Sequence, residues 1–256
     1  MLTVIKIGGA ILEQEKARQQ FLVEFAKISG KKVLVHGGGR TSSRWMKALG
    51  QEPTMIDGRR VTDATTLEIV SLAYAGLNKQ LVAQLYGIGQ KAVGLCGADE
   101  NVLLAQKRSP SPIDFGWVGD IDRNGVNAKV LLGYMKHDIV PVLAPLTHDG
   151  QGHLLNTNAD TIASVVAQAL QQYEPVRLIY AFEKPGLLGD SEDESTLLTT
   201  FSKDEFTAAV EARSVHQGML PKLHNAFDAL EHGVEEVYLC RTDEVHRLDT
   251  KTHITL

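Results

Sequence analysis

Five short stretches of the sequence carry side chains or bare backbone able to do chemistry together. "KIGG" (Lys6–Gly9) puts a lysine and two glycines at the end of an apolar run. "HGGG" (His36–Gly39) closes "KVLV" and opens onto "RTSSRWMKAL". "GRRVT" (Gly58–Thr62) brings Arg59 and Arg60, whose forked guanidinium groups match a carboxylate with two parallel bonds. "NTNAD" (Asn156–Asp160) sets two amides, Asn156 and Asn158, and the Asp160 carboxylate ahead of an apolar stretch. "GMLPKL" (Gly218–Leu223) places Lys222 in the first turn of a helix, where the positive end of the dipole disfavours a cation unless an anion is bound nearby. The set lacks an obvious histidine base or thiol nucleophile. It suits the neutralisation and alignment of two anions.

Each stretch also has an ordinary structural reading. A strand can end in a glycine turn, and asparagine and aspartate are common helix caps. The triple glycine is the least ordinary of them. Glycine accepts positive φ and leaves its amide unshielded, and the amides of a following helix N-terminus attract negative charge. A phosphate or carboxylate is therefore expected beside Gly37, Gly38 and Gly39. Familiar alternatives fail on spacing: there is no GxxxxGK[ST], no GxGxxG, no HExxH and no GxSxG.

The elements that position these residues follow from apolar patterning. "LTVIKI" and "KVLVH" read as buried strands, and "EKARQQFLVEFAKIS" and "TSSRWMKALG" as helices, the second opened by Thr41, Ser42 or Ser43. This β-α-β-α opening implies a parallel sheet with helices on its faces. A long helix is expected from about Asp63 to about Tyr86. Hairpin turns are expected at Asp57-Gly58, Asn124-Gly125 and Asp149-Gly150. "VLLAQK" and "DIVPVLAPL" read as strands, and "ADTIASVVAQALQQY" as an amphipathic helix. Pro175 marks a lobe boundary. Beyond it lie the strand "VRLIYAF", a solvated loop "GDSEDES", two helices, and the strand "EEVYLC".

The 256 residues allow one large domain or two lobes. With a net charge of −5 and no basic stripe, nucleic acid and anionic membranes are poor partners. Two distant cysteines and nine scattered histidines form no zinc pattern. The apolar N-terminus is broken by glycines and reads as a strand, not a leader. No apolar run approaches ~18 residues, so a cytoplasmic location is expected.

In the order K-x-G-G, HGGG, G-x-R-V-T, N-x-N-A-D and G-M-x-x-K, the chain resembles the amino acid kinase family, in its acetylglutamate kinase branch. The resemblance runs over the whole chain. It implies a three-layer αβα sandwich around an open, mainly parallel sheet, as in carbamate kinase-like folds. Residues 1–174 would form a lobe for N-acyl-glutamate and dimerisation, and residues 175–256 a lobe for ATP. The implied reaction moves a phosphoryl group from ATP, with Mg²⁺, to the side-chain carboxylate of N-acetyl-L-glutamate, a step of arginine biosynthesis. The same chemistry on N-succinyl-L-glutamate, or on another small acid, is the alternative.

Carried onto this chain, the resemblance assigns Lys6 and Lys222 to the transferring phosphoryl group and Asp160 to orienting both lysines. Gly8, Gly9 and Gly37 serve phosphate. Gly38, Gly39, Arg60, Asn156 and Asn158 hold the acyl-glutamate, with Arg60 on its α-carboxylate. No protein metal ligand is implied. The family's usual aspartate turn after the strand of the ATP lobe is replaced by "EKPG", so Glu183 takes the catalytic place and Lys184 follows it among nucleotide contacts. Arginine-inhibited hexamers of the family carry a helix before the first strand. This sequence starts at the strand, which implies a homodimer insensitive to arginine.

Overall fold

Side-chain alternation along two strands sets the layering. In β1 (Leu2–Ile7) Leu2 and Val4 point to one face of the sheet and Ile5 and Ile7 to the other. In β2 (Lys32–His36) Val33 and Val35 share the first face, and Leu34 the second. Both strands are buried throughout, as parallel strands covered on two sides must be. The computed structural model describes residues 1–56, 58–212, 218–247 and 251–256.

The remaining strands of the main sheet are β3 (Ala92–Leu95), β4 (Val140–Leu143), β5 (Val176–Phe182), β6 (Thr200–Ser202), β7 (Glu236–Arg241) and β8 (Thr252–Thr255). Their spatial order is β6-β8-β7-β5-β1-β2-β4-β3. All neighbours are parallel except β7 and β8. The helices are α1 (Gly9–Glu13), α2 (Glu15–Ala26), α3 (Gly39–Ala48), α4 (Ala64–Gly87), α5 (Ala128–Met135), α6 (Ala159–Gln171), α7 (Lys203–Glu211) and α8 (Leu220–Glu231). Helices α5, α6 and α8 pack on the Leu2–Val4 face, and α2 and α4 on the Ile5–Ile7 face. The result is a three-layer αβα sandwich. Phe21 and Phe25 of α2 and Phe227 of α8 are fully buried, each contributing about 1.5–3 kcal/mol by leaving water. Residues 1–174 supply the β1-β2-β4-β3 half of the sheet, and residues 175–256 the other half. No helix among the described residues is long and apolar enough to cross a membrane.

Four local expectations change. Helix α3 starts at Gly39, ahead of Thr41, and the Ser42 and Ser43 hydroxyls donate back to the Gly39 carbonyl instead of capping. Asn124-Gly125 forms a 3-10 turn, because the Asp122 side chain accepts from both their amides and a Cβ on Gly125 would lie 2.1 Å from the Leu104 carbonyl. "DSEDES" belongs to an exposed antiparallel pair, Leu188–Asp190 with Asp193–Leu197, rather than a loop. In "VLLAQK" only Gln106–Lys107 forms a strand. The short hairpin Met55–Ile56 with Arg59–Arg60 surrounds the expected turn, of which Asp57 lies outside the described residues. The third hairpin forms as expected, Leu146–His148 pairing with Leu154–Asn156.

Candidate active site

Strands β1 and β2 end side by side, and both glycine turns follow there. Gly8 N–H donates to the Ala181 carbonyl (3.0 Å) and Gly37 N–H to the Ile7 carbonyl (3.1 Å), which ties the turns to the sheet. A cleft of about 1070 Å³ opens above them. It lies outside the carboxyl ends of the strands, where open α/β sheets bind ligands.

The glycines have separate reasons. A Cβ on Gly9 would stand 3.6 Å from Gly38 N, 3.7 Å from Gly39 N and 4.0 Å from Arg40 N, so the space in front of Gly9 is where three backbone amides converge. A Cβ on Gly37 would crowd Gly9 N at 3.2 Å. Gly38 makes room for the Tyr74 ring, which a Cβ would meet at 2.5 Å. Gly39 meets nothing and faces the open cleft.

Lys6 shares the parity of Leu2 and Val4, so it faces α6 and α8. There the structure brings together three of the residues expected from sequence. Lys6 Nζ lies 2.8 Å and Lys222 Nζ 3.1 Å from the same oxygen, Asp160 Oδ1. All three are largely buried. Asp160 sits in the first turn of α6, whose start is fixed by the Asn158 side chain accepting from Asp160 N (2.7 Å) and Thr161 N (3.2 Å). Tyr180 Oη donates to the Asp160 carbonyl at 3.1 Å, and Lys222 Nζ stands over the Tyr180 and Phe182 rings. Burial alone would raise the Asp160 pKa, but Lys222 and then Lys6 outweigh it and hold the carboxyl well below the usual range. Burial lowers the Lys222 pKa, opposed by Asp160 and reinforced by Lys6.

Arg60 is buried against α3. Its Nη2 donates to the Gly39 carbonyl (3.0 Å) and Ser43 Oγ (2.8 Å), and its Nη1 to Met46 Sδ (3.1 Å). Among the described residues no carboxylate pairs with it. Burial pulls its pKa down, although a guanidinium stays charged. Asn156 Nδ2 donates to Thr62 Oγ1 at 3.0 Å and lines the cleft, as do Asn158 and the exposed Glu183. No ion pair among the described residues holds Glu183, so Asp160 alone is the carboxylate on the two lysines. Lys184 is not brought into the cleft: its Nζ donates to the Ser191 carbonyl at 2.8 Å.

The cleft wall carries eight lysines and arginines against four aspartates and glutamates, in a chain whose net charge is −5. Its local field therefore favours anions. Tyr74, Tyr180 and Arg108 also belong to the site or its support and were not singled out by spacing. Tyr74 sits in the apolar run "LAYAGL" of α4 and Tyr180 in "VRLIYAF", so each reads as core until the fold puts it under the cleft.

Comparison with known proteins bears on the family and the fold. A family model described as the amino acid kinase family matches residues 1–241. The acetylglutamate kinase of Parabacteroides distasonis is 46% identical over 247 residues, 96% of each chain. That of Bacteroides thetaiotaomicron is 48% identical over 239 residues, 93% of this chain and 92% of the other. Among solved structures, N-acetylglutamate synthase from Neisseria gonorrhoeae, complexed with coenzyme A and N-acetyl-glutamate, matches with a TM-score of 0.83 at 23% identity, covering 99% of this chain and 59% of the other. At that identity the likeness speaks for the fold.

Proposed function

Because this chain belongs to the amino acid kinase family, we propose that it is a kinase that moves the terminal phosphoryl group of ATP onto the side-chain carboxylate of N-acetyl-L-glutamate, in arginine biosynthesis. The observation that carries this reading is the pair of ammonium groups sharing one Asp160 oxygen beside the convergent amides of Gly38, Gly39 and Arg40.

The acceptor carboxylate is already ionised at neutral pH, so no general base is needed. The difficulty is bringing an anion up to a polyanion, and catalysis is then positioning and electrostatics. Lys6 and Lys222 neutralise charge on the transferring oxygens. The glycine amides donate to the same oxygens without ordering any side chain. Asp160 keeps the two lysines at a fixed spacing, and Glu183 faces the nucleotide side of the cleft. Arg60, lacking a carboxylate of its own, takes the α-carboxylate of the acceptor, with Asn156 and Asn158 beside it. Residues 1–174 hold the acyl-amino acid and residues 175–256 the nucleotide. Mg²⁺ would be brought by ATP and held by its phosphate oxygens and waters. Among the described residues no group of three His, Cys, Asp or Glu gathers to hold it. When bound there it would add charge neutralisation at the phosphates.

A second reading, N-succinyl-L-glutamate, is favoured by Arg108. This residue lines the same cleft, pairs with Asp120, and keeps a buried Nη1 without a partner among the described residues. An acyl group ending in a carboxylate would supply the acceptor. We also read the protein as a cytoplasmic homodimer. One solvent-facing side of α4 carries Leu72, Ala75, Gly76, Ala83 and Tyr86 around Lys79, whose Nζ donates to the Gly94 carbonyl (2.8 Å), a mostly small or apolar stripe that a second copy would cover. Light scattering at the mass of one chain or of six would overturn the dimer.

The reaction is tested by trapping acyl phosphate with hydroxylamine while following ADP release from MgATP. N-acetyl-L-glutamate, N-succinyl-L-glutamate, L-glutamate and L-aspartate are run side by side. Hydroxamate from N-acetyl-L-glutamate is expected. Product from N-succinyl-L-glutamate alone keeps the reaction and changes the acyl group. Product from a free amino acid alone overturns the acceptor, and silence with all four overturns the kinase.

A further inference from the structure

His36 ends β2 directly before the three glycines, is fully buried, and has no part in the steps above. It shares the parity of Leu34 and so points to the side of the sheet covered by α4. There it meets Asn78. The Asn78 side-chain amide donates one hydrogen to the Val142 carbonyl (2.9 Å) and faces His36 Nε2 with the other (3.1 Å). Turning that amide over would set its oxygen against the Val142 carbonyl oxygen. Nδ2 of Asn78 has no lone pair to offer, so His36 Nε2 must be the acceptor and carry no proton. The ring hydrogen then resides on Nδ1, which lies 2.7 Å from the Gly37 carbonyl oxygen and donates to it.

The Gly37–Gly38 peptide is trans. In a planar trans peptide the N–H points opposite to the C=O. Whatever fixes the Gly37 oxygen therefore fixes the direction of the Gly38 N–H. Gly38 N is the nearest of the three amides to the space in front of Gly9, and no acceptor takes its hydrogen among the described residues. A peptide between two glycines has little steric resistance to rotation. An amide meant to meet developing charge has to be held before the charge arrives. Helix α4 holds this one twice, with the Tyr74 ring against Gly38 and, one turn on, the Asn78 amide against His36.

We propose that His36, locked in its Nδ1–H tautomer by Asn78, is a positioning residue that aims the Gly38 amide at the transferring phosphoryl group. Burial pulls the ring's pKa down to about 4, so it stays neutral at working pH. Protonation would in any case set an N–H at Nε2 against the hydrogens of Asn78. The proposal rests on the kinase reading, and its test separates the two.

The wild type is first assayed for hydroxamate, because a silent wild type sinks the kinase and leaves the histidine aside. Steady-state kinetics and thermal melts of His36→Leu and His36→Asn follow. Leucine fills the buried gap with apolar volume and no donor. Asparagine leaves a larger gap but places its Nδ2 where Nδ1 was. His36→Leu is expected to lower kcat roughly 10- to 100-fold while both KM values move less than about threefold. His36→Asn is expected to recover most of that loss. A plug without a positioning role predicts the reverse order, with leucine the better substitute. A folded His36→Leu enzyme with wild-type kcat, or a His36→Asn enzyme no faster than it, overturns the proposal. Should neither variant fold, a long-range ¹H–¹⁵N spectrum of the histidine-labelled wild type decides. It should show a protonated Nδ1 and a bare Nε2 from about pH 6 to about pH 8.5. A protonated Nε2 with a bare Nδ1 overturns it.

Discussion

The sheet buries lysine ammonium groups at both of its edges, and the two edges use them differently. At the carboxyl edge Lys6 and Lys222 share one oxygen of Asp160. At the opposite edge Lys32, the first residue of β2, donates to the Phe25 (3.1 Å), Ala26 (3.0 Å) and Ile28 (2.8 Å) carbonyls at the end of α2. A helix end leaves such carbonyls without partners, and a cation suits it. All three Lys32 hydrogens are thereby used. At the cleft, two ammonium groups with six hydrogens between them converge on a single carboxylate oxygen. Burial of a cation does not mark a site. Hydrogens left without acceptors do.

The contrast breaks if the two edges respond alike to substitution. Lys6→Ala and Lys222→Ala should each lower kcat by roughly 10²–10³, the cost of one preorganised donor, with little loss of melting temperature. Turnover per folded molecule near the wild-type value in either variant would remove the lysines from the chemistry. Arg60→Ala sharpens the comparison on the acceptor side. It should raise KM for N-acetyl-L-glutamate roughly 10- to 150-fold, the equivalent of about 1.5–3 kcal/mol for a charge-assisted bond, and leave KM for ATP nearly unchanged. Equal rises for both substrates would contradict its placing on the acceptor.

Lys32→Met should do the opposite of the cleft lysines. It leaves buried carbonyls unpaired, costs about 1–3 kcal/mol of stability, and keeps kcat per folded molecule. The effect should also depend on pH. Burial lowers the Lys32 pKa from 10.5 to about 8. Between those values the unfolded chain binds more protons than the folded one, so stability from this group rises with pH. Below about 8 both states are charged and the full penalty of burying the charge applies. The melting temperature of wild type relative to Lys32→Met should therefore climb by on the order of 5 °C as pH goes from about 7 to about 10. A constant difference over that range would refute the assignment.

Much of the site was legible because its parts announce themselves locally. Lys6 is the one charge in a short apolar run that two glycines close, and Asp160 lies in the first turn of a helix with a strong apolar pattern, so both could be placed from neighbours alone. The opening β-α-β-α run likewise implied the parallel sheet. What stayed hidden needs partners distant in sequence. His36 and Asn78 are 42 positions apart, and only the packing of α4 under β2 makes them a pair. Asn78 did leave a trace, an amide beside Leu77 and one turn after Tyr74 on the apolar side of "LAYAGLNKQL", whereas Gln80 two residues on is exposed. Asn124-Gly125 forms no hairpin because Asp122, two residues earlier, captures the amides that a hairpin would use. Strand β8 went unread because "THIT" is too short for periodicity to speak.

The seam between β1 and β5 is six residue pairs long and lies in the middle of one continuous sheet. Lys6 sits on one side of that seam, and Lys222 is carried by the half beyond it. Closing the cleft by parting the halves would strip backbone hydrogen bonds, so the mechanically soft motion is a change of sheet twist. In a twisting plate, displacement grows with distance from the axis. Lys6, Lys222 and Asp160 stand near that line, so a twist that displaced the outer walls of the cleft would displace them least. On the proposed reaction, the three charged groups would then act as a fixed anvil, with the walls of the cleft turning around them.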